Sequence, residues 1–391
     1  MKVRNKGRKI YKTKEKNYYG KSPVGKFFSA LLTVVLIGGI GVLGYSVAGP
    51  MIDYSRKQGD EEVSETTSHE DEVATTGTNA ENVVAEVPEN QTESYRSVRL
   101  DEYETMNCEA IKTAIGRIPQ EQDIEYIEVP LKLPDGRLTY ATDYEDIPEI
   151  CGSELTLSEI ARTIRKEGYT PAAYISIFAD NTVPEIYPQY SYLNPETVLA
   201  WRDSSSKTWA SPFSEGYVNY LSFIADEISG AGFSKIICTD MKFPDFTDRD
   251  LTVIGDSRLE SSGRYTALTD AADVLYDAAG KNNADMFIEV QASEVLSGRA
   301  EIMKPLFLKA DTIVINIDFD EISKGVDTGS TVYEFNGTPS ENITKMLDLI
   351  KDSISDFNVV VRISGTACNT SELLRAKDDM QKLGYISFIL G

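Results

Sequence analysis

The chain has 391 residues, and its acids outnumber its bases 62 to 39, for a formal net charge of −23. That length allows one large domain or two medium ones, and that charge excludes nucleic acid and other polyanions as partners except through bridging cations. A single histidine and four scattered cysteines (Cys108, Cys151, Cys238 and Cys368) leave no disulfide framework and no thiolate metal site, so neither a metal nor a cofactor is expected.

Residues 1–26 carry ten Lys or Arg against one acid, Glu15, and read as a basic cytoplasmic arm. Residues 27–52 contain no charge at all, enough to cross about 30 Å of hydrocarbon as a helix. Positive charge is kept on the cytoplasmic side, so the expectation is a single-pass signal-anchor with the C-terminal domain extracellular. A cleaved signal peptide is the competing reading, since Ser46-Val47-Ala48 resembles a cleavage site, but the apolar run exceeds a usual signal core. Residues 53–95 are acidic, lack an apolar period and read as a disordered stalk. His69 lies there, which removes Ser-His-Asp, Cys-His and His-ligated metal mechanisms from the folded domain.

Residues 96–391 alternate strand-like and helix-like segments. Eight strands are expected: 97–103, 124–131, 173–178, 235–240, 286–291, 312–319, 359–363 and 385–390. Ile343, Met346, Leu347, Ile350 and Ile354 form one helical stripe, introduced by the capping box Thr338-Pro339-Ser340-Glu341. Tyr217, Tyr220, Leu221, Ile224 and Ile228 form another. Gly168, Gly232 and Gly384 each precede an aromatic and a strand, as a glycine at a helix-to-strand return does. Cys238, inside an apolar strand, reads as a packed thiol. Eight strands with seven crossovers point to a (β/α)8 TIM barrel, with an open doubly wound sheet as the alternative.

Four stretches carry a family likeness: Gly136-Arg137-Leu138-Thr139-Tyr140, Phe178-Ala179-Asp180, Trp209-Ala210-Ser211-Pro212-Phe213, and Gly232-Phe233 through Phe243-Pro244. On these residues the domain resembles a bacterial family of TIM-barrel glycosyl hydrolases of unknown function. The resemblance implies an acid followed by Tyr-x-Arg-Phe-Pro at the end of the fourth strand, where this chain reads Thr239-Asp240-Met241-Lys242-Phe243-Pro244. The acid stands one residue late, and side chains alternate across a strand, so only a bulge or the strand's end returns it to the lumen. Pro130-Leu131-Lys132-Leu133, Tyr174 and Ala179 also replace residues that the resemblance implies.

Glu289 falls where the family has an acid in the fifth strand. Glycoside hydrolysis needs two carboxylates, and the expected pair is Glu289 as acid with Asp240 or Asp318 as partner. By strand parity Asn316, Asp318, Glu128, Ser176, Asp180, Gln291 and Arg362 share the same cavity, Asp180, Asn316 and Arg362 being expected to bind substrate. Tyr190, Trp201 and Trp209 are flat surfaces suited either to sugar stacking or to packing the loop onto the barrel rim. The expected partner is a polysaccharide or cell-wall glycan. The replaced residues leave two alternatives to an enzyme: an inactive glycan-binding barrel, or a protein-interaction scaffold.

Overall fold

A computed structural model describes residues 94–119, 122–144, 152–259, 261–298, 310–365 and 370–391, all within one compact unit, Asn82–Gly391. The basic arm, the apolar run 27–52 and the stalk through residue 93 lie outside the described residues, with His69, Cys151 and Cys368. Among the described residues, no helix is long and apolar enough to cross a membrane.

All eight expected strands form, and they close into a parallel barrel. They are β1 (Arg96–Arg99), β2 (Tyr126–Lys132), β3 (Thr170–Ser176), β4 (Lys235–Thr239), β5 (Asp285–Gln291), β6 (Thr312–Asp318), β9 (Asn358–Ser364) and β10 (Phe388–Leu390), in the order β1-β10-β9-β6-β5-β4-β3-β2. Pairing of Arg96 with Phe388 and of Ser97 with Tyr126 seals the ends of the sheet. A two-stranded hairpin, β7 (Val326–Asp327) with β8 (Val332–Tyr333), interrupts the β6-to-β9 crossover; strands of two residues are too short to show a period. Boundaries shift by a few residues. The first strand stops at Arg99 because the chain turns into a 3-10 helix at Glu102–Thr105, which takes Tyr103 out of the sheet.

Helices Cys108–Ile115, Leu157–Lys166, Glu215–Gly230, Ser261–Gly280, Pro339–Ile354 and Thr370–Lys382 occupy the crossovers. In Pro339–Ile354 the cap forms as its residues dictate, Thr338 and Glu341 exchanging hydrogen bonds with each other's backbone, and all five stripe residues are buried. Each such side chain contributes roughly 1.5 to 3 kcal/mol against about 1 kcal/mol for a cap, so packing holds the helix and the cap sets where it starts. Gly168, Gly232 and Gly384 all adopt left-handed backbone, with φ of 92°, 90° and 93°.

Strand parity divides the core in two. Ile313, Ile315 and Ile317 face the helices, whereas Val314 joins Ala172, Tyr174, Ile237, Phe287, Val360 and Ile389 inside the barrel. Cys238 faces the helices as a buried free thiol, its pKa pushed up by burial. The lumen is a packed core, so chemistry is confined to the strand ends.

Candidate functional site

The lumen is polar at mid-height. Arg362, fully buried, donates from Nε to Glu289 Oε2 at 2.6 Å and from Nη2 to Glu128 Oε2 at 2.7 Å. Glu128 Oε1 also accepts from the Tyr95 hydroxyl at 3.0 Å and from Ser97 Oγ at 2.8 Å, and Glu289 Oε1 accepts from the Tyr174 hydroxyl at 3.3 Å. Burial opposes the guanidinium charge, but the two glutamates outweigh it and raise the Arg362 pKa. The Tyr174 pKa is raised by burial and by Glu289, so the phenol stays a neutral donor. Parity from β2, β5 and β9 thus does bring Glu128, Glu289 and Arg362 together, with Tyr174 of β3 added to them, and the contacts they make are mostly with each other.

Above this layer stands Asp240. It follows the last residue of β4 and takes a left-handed backbone, φ 55°, that L side chains other than Asn and Asp rarely adopt. Continued strand geometry would turn Asp240 toward the helices; the left-handed turn instead brings its Oδ2 within 2.7 Å of Ser176 Oγ, which donates to it. The strand's end therefore restores the late acid to the lumen side. Asp240 lines a water-sized cavity of about 10 Å³ with Glu289, Gln291, Lys242 and Glu294.

Glu294, in the short helix Ala292–Ser297 that follows β5, is not among the acids expected from the sequence. It is 9% exposed and accepts from Lys242 Nζ at 2.7 Å. Burial raises its carboxyl above the ordinary range; Lys242 works against the rise, while Glu321 and Asp240 add to it. For Lys242, burial lowers and Glu294 more than restores the pKa, which ends raised. The signal for Glu294 was its place just past the end of β5, where barrel enzymes draw their chemistry.

The remaining expected residues have identifiable partners. Asp180 accepts from Lys132 Nζ at 3.0 Å, from the Tyr217 hydroxyl at 2.8 Å, and from the backbone N–H groups of Thr182 and Val183 at 3.0 and 2.8 Å. A register shift between Pro130 and Lys132 accompanies the burial of that lysine, which also donates to the Ser176 carbonyl at 2.9 Å. The cation that faces Asp180 thus comes from the neighbouring strand. Asp318, at the end of β6, caps the helix Phe319–Ile322 by accepting from the N–H groups of Asp320 and Glu321. Asn316 accepts from Ser364 Oγ at 2.8 Å.

The aromatic loop packs largely on itself and on the rim. Trp201 is 8% exposed, donates to Asp250 at 3.0 Å and packs at a tilt against Phe246 with ring centroids 4.9 Å apart. Trp209 donates to Asp203 at 3.0 Å. Tyr190 lies against Gly216, where a Cβ would come within 2.5 Å of its ring.

Two cavities above 500 Å³ differ in position. One of about 610 Å³, lined by Tyr95, Tyr126 and Phe287 among others, opens at the N-terminal ends of the strands, at the opposite end of the barrel from Asp240 and Glu294. The other, about 550 Å³, lies over the loops after β1 and β2, lined by Arg99, Asp101, Glu102, Tyr103, Asp135, Arg137 and Lys207 among others. Among the described residues, no cluster of His, Cys, Asp and Glu is arranged to hold a metal ion.

Residues 100–297, just over half of the chain, match the model of a family described as "Putative glycosyl hydrolase domain". The glycoside hydrolase domain of PgaB (BpsB) from Bordetella bronchiseptica is similar in structure, with a TM-score of 0.54 and 16% identity over 76% of this chain and 93% of that one. A hypothetical protein from Ruminiclostridium thermocellum gives a TM-score of 0.41 at 16% identity, over 49% of this chain and 96% of that one. The glycoside hydrolase domain of PelA from Pseudomonas aeruginosa gives 0.39 at 13% identity, over 76% and 94%. At such identities the likeness is one of fold. No curated protein matches the chain.

Proposed function

Because the chain belongs to this glycosyl hydrolase domain family, we propose that its barrel cleaves a glycosidic bond of a cell-surface or extracellular polysaccharide at the carboxyl ends of its strands. The observation that carries this reading is the left-handed turn at Asp240, which holds a carboxylate over the lumen at the cost of backbone strain. Asp240 and Glu294 line the same small cavity and form the proposed pair. Glu294, raised by burial, gives its proton to the leaving oxygen as the C1–O bond breaks. Asp240 either attacks C1 or takes a proton from the attacking water. Glu289 and Asp318, the other expected acids, serve in support: the first has both oxygens engaged by Arg362 and Tyr174, the second caps a helix. Residues 27–52 are proposed to anchor the chain in the cell membrane with the barrel outside.

A second reading, a glycan-binding barrel without hydrolysis, is favoured by the same cavity's small size, about 10 Å³, and by the internal partners of its acids. One experiment separates the two: incubating the full chain with surface polysaccharides and measuring both binding and new reducing ends. Release that Asp240→Asn abolishes supports hydrolysis; binding with no release supports the second reading.

A further inference from the structure

Arg99 closes β1 on the lumen side of the strand, two residues past Ser97, which bonds Glu128. Its guanidinium lies 4.0 Å from the centre of the Tyr174 ring, and the Tyr174 hydroxyl donates to Glu289. The arginine therefore joins the central carboxylate layer to the 550 Å³ cavity that it lines.

Two of the three acids that line this cavity, Glu102 and Asp135, hold Arg137, and in the layer beneath Tyr174 both Glu128 and Glu289 hold Arg362. Asp101 lines the cavity without pairing Arg99. Among the described residues Arg99 has a ring beneath it and no ion pair, in a chain where acids outnumber bases 62 to 39. A guanidinium held over an aromatic ring with no acid paired to it keeps its donor fork available for a carboxylate or phosphate. Lys207 offers a second, exposed ammonium on the same wall, and Tyr103, 78% exposed, presents a flat face beside it.

We propose that this cavity is an anion-reading subsite in which Arg99 grips a single carboxylate or phosphate on a sugar while Tyr103 stacks on the ring. It deepens the glycan-acting reading above and rests on it. The charges lining the cavity balance, so the subsite reads one oriented anion and not a dense polyanion, in keeping with the negative charge of the whole chain.

The test uses the full chain with three probes in titration calorimetry: cellobiouronic acid, neutral cellobiose and cellobiose 6′-phosphate. An anionic probe is expected to bind at least about tenfold tighter than cellobiose, and Arg99→Gln to erase that preference. Whichever anionic probe gains the preference identifies carboxylate or phosphate as the source. Lys207→Gln, a surface change, is expected to weaken the preference and gives a second reading if Arg99→Gln does not fold. Equal binding of all three probes, or a preference that survives both substitutions, overturns the proposal. Repeating the titration with Asp240→Asn keeps the two ideas apart, because binding preference without hydrolysis in any form of the chain sinks the enzyme and spares the subsite.

Discussion

Ser176 Oγ donates to Asp240 Oδ2 across 2.7 Å, joining the end of β3 to the end of β4. This bond and the left-handed backbone at Asp240 (φ 55°) together aim the carboxylate. Asp240→Asn keeps the shape and tolerates the backbone, so it is expected to unfold within about 0.5 kcal/mol of the parent in urea while losing reducing-end release. Asp240→Val, β-branched at positive φ, is expected to cost about 1 to 3 kcal/mol. Undiminished release from Asp240→Asn removes the residue from the catalytic pair.

Arg362 is the counter-ion of two buried acids. Truncation to alanine leaves Glu128 and Glu289 uncompensated inside the barrel, and a loss of about 3 to 5 kcal/mol is expected by urea denaturation. Removing all three charges together, as Glu128→Gln, Glu289→Gln and Arg362→Met, is expected to recover much of that loss. A triple variant no more stable than Arg362→Ala argues against a charge-compensation role.

Gly136 carries the first family stretch, and its place is steric. At φ 90°, a Cβ there would stand 2.1 Å from Asp180 Oδ1, which is itself held by Lys132 and Tyr217. Gly136→Ala is expected to destabilise the chain by about 2 to 4 kcal/mol, from backbone strain and displacement of the buried carboxylate. Thermal melting of the variant measures it; an unchanged midpoint contradicts the packing described.

Glu294 supplies a pH dependence of defined sign. Burial raises its carboxyl above the ordinary 4.5 despite Lys242. The folded chain then holds the proton more tightly than the unfolded chain. Its contribution to stability is fully present below the unfolded pKa and is lost as pH rises through the raised folded value. Glu294→Gln is expected to flatten the stability-versus-pH curve across that window, and hydrolysis by the parent is expected to fall through the same window as the donor loses its proton. Matching curves for parent and variant show that the carboxyl does not titrate there.

Trp201 separates packing from sugar binding. Its indole is bonded to Asp250 and packed against Phe246, so Trp201→Ala is expected to cost about 3 to 5 kcal/mol, the range for truncating a large buried aromatic. Glycan affinity, measured on the folded fraction, is expected to change little. A large affinity loss with unchanged stability makes the residue a sugar platform.

The chain's local chemistry determined its architecture. Alternating strand and helix periods, glycines at three helix-to-strand returns and the Thr338 capping box are short-range signals, and the barrel, its inward and outward faces and the free thiol of Cys238 followed from them. Family stretches identified the kind of barrel, and parity placed Glu128, Glu289 and Arg362 on its inner face. Tertiary structure alone decided what each charged group meets. Arg362 and Glu128 are 234 residues apart in the chain, Lys132 reaches Asp180 through a register shift, and Glu294 finds Lys242 across two strand ends. Parity assigns a residue to a face, but a pairing is settled by distances across a closed barrel, where each carboxylate takes the cation that burial leaves within reach. Asp240 shows the limit most directly: its alternation pointed it outward, and one left-handed residue at the end of a strand, which no period records, turned it back.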